Sequence, residues 1–220
     1  EAFLLERLET LELSVTALNA FIQDPTSFLW SHLLEQPQAK QPHLAYGSAV
    51  HSALEKRNLA WREGETFDTE DLLKAFETTM GEREVFIERE REHYLHEGRT
   101  VLERYGEETE NEKPIILSAE RTLRARLMET QNQKLKTNNL EGIPLVGKVD
   151  RIDLFRKDGQ DCRIIDYKTG EPKRTAEAVR KEGQLFRQLV FYKILCDLSP
   201  SFSHTATVFT LDFVGNTKRG

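Results

Sequence analysis

Cysteine is nearly absent. Cys162 and Cys196 are the only two in 220 residues, too far apart for the short spacings of zinc or iron-sulfur sites and too few for a disulfide framework. Both are expected to be ordinary buried thiols. No apolar run approaches the length that crosses a bilayer, and no signal peptide opens the chain. The expectation is a soluble, intracellular, cytoplasmic protein with no membrane partner. No Gly-x-x-x-x-Gly-Lys-[Ser/Thr] loop occurs, which excludes a nucleotide-driven motor carried by this chain itself. No internal repeat is found. Disorder is also excluded, because 38% hydrophobic against 31% charged residues lies only on the polar side of ordinary for a soluble domain. The length suits one large domain, or one with an appended subdomain.

Positive charge is in short supply overall, with a net charge of -6, and that balance argues against a polyanionic partner. Its distribution reverses the argument. Residues 1–112 hold 11 Lys+Arg against 24 Asp+Glu, a balance of -13, whereas residues 113–220 hold 20 against 13, a balance of +7. Local fields rather than total charge steer a polyanion to a site, so the second part is compatible with DNA or RNA.

Residues 1–10 are charged and amphipathic and lack an initiator Met, which suggests a domain excised from something longer. Ser14 and Thr16 are cap candidates for two helical pieces over 17–34, broken at Asp24-Pro25. After a Gln/Pro-rich connector, Gly47 to His51 leads into a helix with His51 in its first two turns. Taken alone, His51 is more often a core or surface histidine than a ligand. Helices are expected over 69–80 and 84–105, with His93 and His96 on one turn of the second. That spacing can bind metal, but no partner motif accompanies it. A strand covers 115–128 with Ile115, Leu117, Leu123, Ala125 and Leu127 in alternation; Glu120 sits in its middle, with the face it takes undecided. Residues 129–142 read as a loop, 177–197 as a long helix, and 204–214 as a strand. A strand, a helix and a strand imply a right-handed crossover to a parallel neighbour.

The chain is organised around Val146 to Gly170. Two runs rich in Val, Ile and Phe flank a polar break with Asp158-Gly159, a strong hairpin signal. On the second strand Asp166 and Lys168 share one face and Tyr167 takes the other. On the first, Asp150 shares a face with Val146, Ile152 and Leu154, and a hairpin can bring that face beside Asp166. Asp153 has the opposite parity, which assigns it a structural or salt-bridge role. Carboxylates gathered on a largely apolar sheet face repel each other and lose hydration. A bound divalent metal relieves both costs.

Asp150 followed by Asp166-Tyr167-Lys168 resembles the Asp…Asp-x-Lys signature of the PD-(D/E)XK nuclease superfamily, and the surroundings resemble its RecB-type branch. Four ordered stretches carry the resemblance. They are Leu13 to Leu18 with Asp24-Pro25 and Phe28; Gly47 to His51; Gly147 to Asp153 with Ile165 to Gly170; and Gln188 to Tyr192. Some relatives hold an iron-sulfur cluster, with one cysteine just before the Pro of the first stretch and three near the C-terminus. Asp24 stands in the first place here and no trio follows, so the resemblance is to the cluster-free form. That form occurs in nuclease domains fused behind RecB- and AddA-type helicases of superfamily one.

The resemblance implies an α/β fold with a restriction-endonuclease-like core. Its mixed central sheet, a three-strand meander plus a strand after a crossover helix, is flanked by helices and preceded by an N-terminal helical subdomain. Residues 1–112 would form the helical part carrying the His motif and 113–220 the nuclease core, together one structural domain. His51, Asp150, Asp166 and the backbone carbonyl of Tyr167 would coordinate Mg2+ or Mn2+, for which hard oxygen donors and one imidazole are suitable. Lys168 would position or activate the attacking water. Glu120 either completes an outer shell or a second, weaker metal site, or has no catalytic role, and Gln188 and Tyr192 would face the site or the DNA backbone. Arg187, Lys173, Arg174, Arg180 and Lys181 are candidate phosphate contacts. The implied function is a metal-dependent exonuclease acting on single-stranded DNA or duplex ends, coupled to a fused or associated helicase in repair or recombination. The alternative is a catalytically inactive nuclease-like module for DNA binding or docking.

Overall fold

Capping side chains set three of the helix starts among the described residues. A computed structural model of the chain describes residues 2–37, 41–82, 86–128, 142–170 and 183–215. The backbone divides into two compact units, one formed by Glu1–Gln38, Thr122–Lys148 and Ala176–Ala206, the other by Ala39–Arg121, Val149–Thr175 and Thr207–Gly220.

In the first unit, α1 (Ala2–Thr10) is followed by α2 (Val15–Gln23), where the Ser14 side chain accepts the Ala17 amide at 3.1 Å. Asp24 ends α2 and caps α3 (Pro25–Phe28), accepting the amides of Thr26 and Ser27 at 3.0 and 3.1 Å, with Pro25 in the first turn. The break expected at Asp24-Pro25 is therefore a double cap. One π-helical turn, Leu29–Leu33, continues the chain. Between Ser14 and α1, Leu13 makes a parallel bridge to Leu145. Its amide donates to Pro144 and its carbonyl accepts from Val146, at 2.8 and 3.0 Å. Ala17, Phe28 and Leu33 form a small core against Leu11, Leu13, Ala20 and Leu29. Helix α7 (Gln184–Leu198) buries Phe191, Tyr192, Leu195 and Cys196. The helix expected from residue 177 begins at Gln184 among the described residues; 171–182 lie outside them, and with them Lys173, Arg174, Arg180 and Lys181.

The second unit contains α4 (Pro42–Glu63), α5 (Thr69–Gly81) and α6 (Glu88–Thr109). Helix α4 starts earlier than its Gln/Pro-rich approach suggests, because Pro42 occupies the first turn, where its fixed φ and missing N–H cost nothing. His51 therefore lies in the third turn, not the first two. Gly64, with φ of 80°, closes the helix in the left-handed conformation. Asp68 and Asp71 form a reciprocal capping box on α5. Helix α6 runs past residue 105, its expected end, through Gly106 to Thr109. A β-carbon at Gly106 would press on the Thr69 side chain, so this glycine serves close helix packing. Val50, Leu54, Leu72, Phe76, Met80 and Leu102 have no exposed surface and form the centre of this unit's core with Ile165, Tyr167 and Val214. No helix among the described residues is long and apolar enough to cross a membrane.

The fold is α/β, with a four-strand mixed sheet flanked by helices. The strands are β1 (Ile115–Leu127), β2 (Ile143–Leu154), β3 (Asp161–Lys168) and β4 (Thr205–Phe213), hydrogen-bonded in that order. Strands β2 and β3 pair antiparallel, with Arg151 opposite Ile165 and Asp153 opposite Arg163. Their connection turns at Arg156–Gly159, where the Gly159 amide donates to the Arg156 carbonyl at 3.0 Å. Gly159 thus closes the turn rather than occupying a positive-φ corner, and the hairpin has a longer loop than the Asp-Gly dipeptide alone implies. Past the end of β4, the Val214 amide donates to the Lys168 carbonyl at 2.9 Å. The C-terminal ends of β3 and β4 therefore meet, as they do in parallel neighbours. Cys162 and Cys196 are free and buried; burial, with the nearby Asp161 charge, pushes the Cys162 thiol up to about 11.

Gly98 of α6 lies directly against the Phe76 ring of α5, leaving no room for a β-carbon. Overpacking of this kind costs about 1–3 kcal/mol. Gly98→Ala is expected to lose that much stability in urea unfolding, and a variant as stable as the parent contradicts the close approach.

Candidate active site

The pairs at the open end of the β2–β3 ladder stop at Arg151 and Ile165, one residue short of Asp150 and Asp166. Asp150 is 7% exposed, and each of its oxygens has a separate engagement. Oδ2 accepts the Tyr167 amide at 2.6 Å, and Oδ1 lies 3.4 Å from Nδ1 of His51 on α4. Glu120 of β1 completes a group: one ligand atom from each of His51, Glu120 and Asp150 lies within 4.8 Å of the others. Asp166, 4% exposed, is ion-paired to the half-buried Lys168 beside this group.

Glu120 reaches the group through a backbone distortion. Its φ is 49°, a left-handed value that costs a non-glycine residue on the order of 1 kcal/mol. The buried positions of β1 are even before it, at Ile116, and odd after it, at Leu123 and Ala125. The alternation expected from Ile115 and Leu117 fails there, since Ile115 is 37% exposed while Ile116 is buried. A single residue out of the extended conformation shifts the parity, as a bulge does. Parity alone could not assign a face to Glu120 for that reason.

Asp153 belongs to a different assembly. Both its oxygens accept from Arg151, Nε and Nη2 each at 2.7 Å, and Arg163, its cross-strand partner, adds a contact of 3.2 Å. Burial opposes the charge on Arg151, but this hydrogen bonding and the neighbouring Tyr167 hold its pKa above the ordinary arginine value. The Tyr167 hydroxyl accepts from Asn58 at 3.1 Å and Arg151 at 3.3 Å. Sequence reasoning gave Asp153 its salt-bridge role but missed the extension of this network through Tyr167 to Asn58. Its one legible trace is the pair Arg57-Asn58, polar residues continuing the buried stripe of Val50, Ala53 and Leu54 on α4.

Gln188 and Tyr192 lie on α7 in the first unit. Gln188 donates to the Tyr192 hydroxyl at 3.1 Å, and that hydroxyl donates to the Lys148 carbonyl at 3.0 Å. Arg187 of the same unit donates to Asn19 at 2.7 Å. His93 pairs with Glu97 at 3.6 Å; His96 joins it in no metal-competent group among the described residues. A cavity of 480 Å³ lined by Arg57, Trp61, Phe67 and Lys113 shares no lining residue with the acidic group.

The model of the PD-(D/E)XK nuclease superfamily matches residues 12–213. The chain belongs to that superfamily, whose members are nucleases and generally use divalent metals to hydrolyse phosphodiesters. No curated protein matches the chain. The side chains present fit such a metal. Two carboxylates and an imidazole converge, which without a cation leaves like charges close together in a half-buried setting, and hard oxygen donors with one nitrogen suit Mg2+ or Mn2+.

Burial works against charge on His51, yet its hydrogen bond to Asp150 and the fields of Asp150, Asp166 and Glu120 outweigh it and raise the imidazole pKa. A proton and a cation compete for the imidazole. Below the raised pKa the ring is occupied and positive; above it the ring is free to coordinate. Mn2+ affinity measured by calorimetry is therefore expected to strengthen from pH 6 to pH 8 with proton release, and an affinity independent of pH excludes His51 as a ligand. Asp153→Ala, by contrast, strands a buried guanidinium and is expected to cost about 3–5 kcal/mol in denaturant unfolding. A neutral effect there contradicts its assignment as a stability residue.

Proposed function

We propose that this domain is a metal-dependent deoxyribonuclease of the RecB type, acting as an exonuclease on single strands or duplex ends and working with a fused or associated helicase in DNA repair or recombination. The observation that carries the reading is the convergence of His51, Glu120 and Asp150 within 4.8 Å, with the Lys168–Asp166 pair beside them. Asp24 and the two scattered cysteines support the branch that lacks an iron-sulfur cluster, and the basic balance of residues 113–220 supports a polyanionic substrate.

In this proposal His51, Asp150, Asp166 and the Tyr167 carbonyl hold Mg2+ or Mn2+, and Glu120 adds a further carboxylate. Such a cation, when bound, polarises the scissile phosphate, eases ionisation of a water and offsets charge on the leaving oxygen. The chain's own groups orient the reaction. Lys168, held in place by Asp166, hydrogen-bonds the attacking water; the water oxygen bonds to phosphorus, the phosphorus–oxygen bond to the leaving strand breaks, and the departing oxygen takes up a proton. Asp150 is fixed by the Tyr167 amide, so it contributes a carboxylate already oriented. Gln188 and Tyr192 complete the proposed set as contacts to the DNA backbone, a role that carries no base specificity.

Incubation with linear single-stranded, linear duplex and circular DNA tests the reading. Wild type is expected to digest linear DNA with Mg2+ or Mn2+, to stop in EDTA, and to spare circles. Lys168→Ala is expected to be slower by about 100-fold or more. Wild type that cuts no better than Lys168→Ala contradicts the enzyme and leaves a nuclease-like DNA-binding or docking module.

A further inference from the structure

Tyr167 is the residue between Asp166 and Lys168, and its side chain is 2% exposed. Three of its groups contact two elements of the site, β2 and α4. Its amide donates to Asp150 of β2 at 2.6 Å. Its ring meets the His51 imidazole edge to face, with centroids 6.2 Å apart at 86°. Its hydroxyl, at the far end of the ring, accepts from Asn58 at 3.1 Å and from Arg151 at 3.3 Å.

His51 and Asn58 lie seven residues apart, so they fall on one face of α4, about two turns from each other. One side chain therefore spans that face from the candidate ligand to an anchor beyond it. The anchor is itself immobile. Asn58 has no exposed surface and Arg151 is 2% exposed, and Arg151 is locked by both oxygens of Asp153. Removing the hydroxyl leaves two buried donor groups short of an acceptor and frees the ring to move against His51.

We propose that Tyr167 is a positioning residue: through its hydroxyl anchor on Asn58 and Arg151 it holds α4 against β3, so that His51 and Asp150 keep the separation a shared divalent cation needs. The inference rests on the metal-site reading above but assigns a role to groups that touch neither cation nor substrate. Outer-shell partners of this kind change metal affinity by about 10–100-fold.

Tyr167→Phe deletes the hydroxyl and leaves the backbone amide and carbonyl in place. Mn2+ binding to the full chain, followed by electron paramagnetic resonance on protein shown to be folded by circular dichroism, is expected to weaken by about 10–100-fold. In DNA cleavage the half-saturating Mn2+ concentration is expected to rise by a similar factor, with the rate deficit shrinking as Mn2+ is raised. A tyrosine that only packed would change unfolding and leave the folded protein's Mn2+ affinity alone. Wild-type affinity in folded Tyr167→Phe therefore overturns the proposal while leaving the metal site standing. Wild type that binds no Mn2+ overturns the metal-site reading and this inference together. If Tyr167→Phe does not fold, Asn58→Ala removes one anchor; weakened Mn2+ binding supports the role and unchanged binding overturns it.

Discussion

The Asp150 carboxylate is the constraint on which the site depends. It is nearly enclosed, and desolvation of an ionised carboxylate is costly unless its oxygens are engaged. One oxygen takes the Tyr167 amide at 2.6 Å and the other faces His51 at 3.4 Å. The first contact binds the carboxylate to the neighbouring strand, so it cannot turn away without losing a charge-assisted hydrogen bond. The second aims it at an imidazole on a helix. A carboxylate fixed in this way would give the proposed metal site one ligand whose direction is set before any cation arrives.

Strain at Glu120 belongs to the same logic. A glutamate with φ of 49° inside a strand is unfavourable by itself, and its neighbours favour extended backbone. The distortion delivers a second carboxylate to His51 and Asp150. A cation shared by the two carboxylates would turn their mutual repulsion into attraction. Nearby, the Arg151–Asp153–Arg163 group places opposite charges together, with both Asp153 oxygens paired to guanidinium nitrogens. The sheet thus carries two acidic centres in different settings: Asp153 is neutralised by protein, and Asp150 belongs to the proposed metal site.

Much of the fold was legible because its signals are local. Ser14 and Asp24-Pro25 mark helix ends, and the hairpin around Asp158-Gly159 follows from composition alone. Asp150, Asp166 and Lys168 could be placed on that hairpin by counting along two strands. Elements that depend on tertiary contacts were not legible. Glu120 could not be assigned a face because a parity rule presumes an extended chain, which its positive φ interrupts. Helix α6 passes its expected end at 105 through Gly106, whose small size serves Thr69, a contact across 37 positions of sequence. The Tyr167 hydroxyl, whose partner Asn58 lies 109 residues away, is invisible to any windowed pattern. His51 was found through its motif rather than through helix phase, since Pro42 starts α4 earlier than its polar approach suggests.

The account stands on one shared ion. Anomalous diffraction from crystals grown with Mn2+ tests it most directly. The account predicts a single strong manganese peak at coordination distance from the His51 imidazole and the carboxylates of Glu120, Asp150 and Asp166. A map in which manganese is bound at other carboxylates, or in which Glu120 and Asp150 point apart with no peak between them, contradicts it.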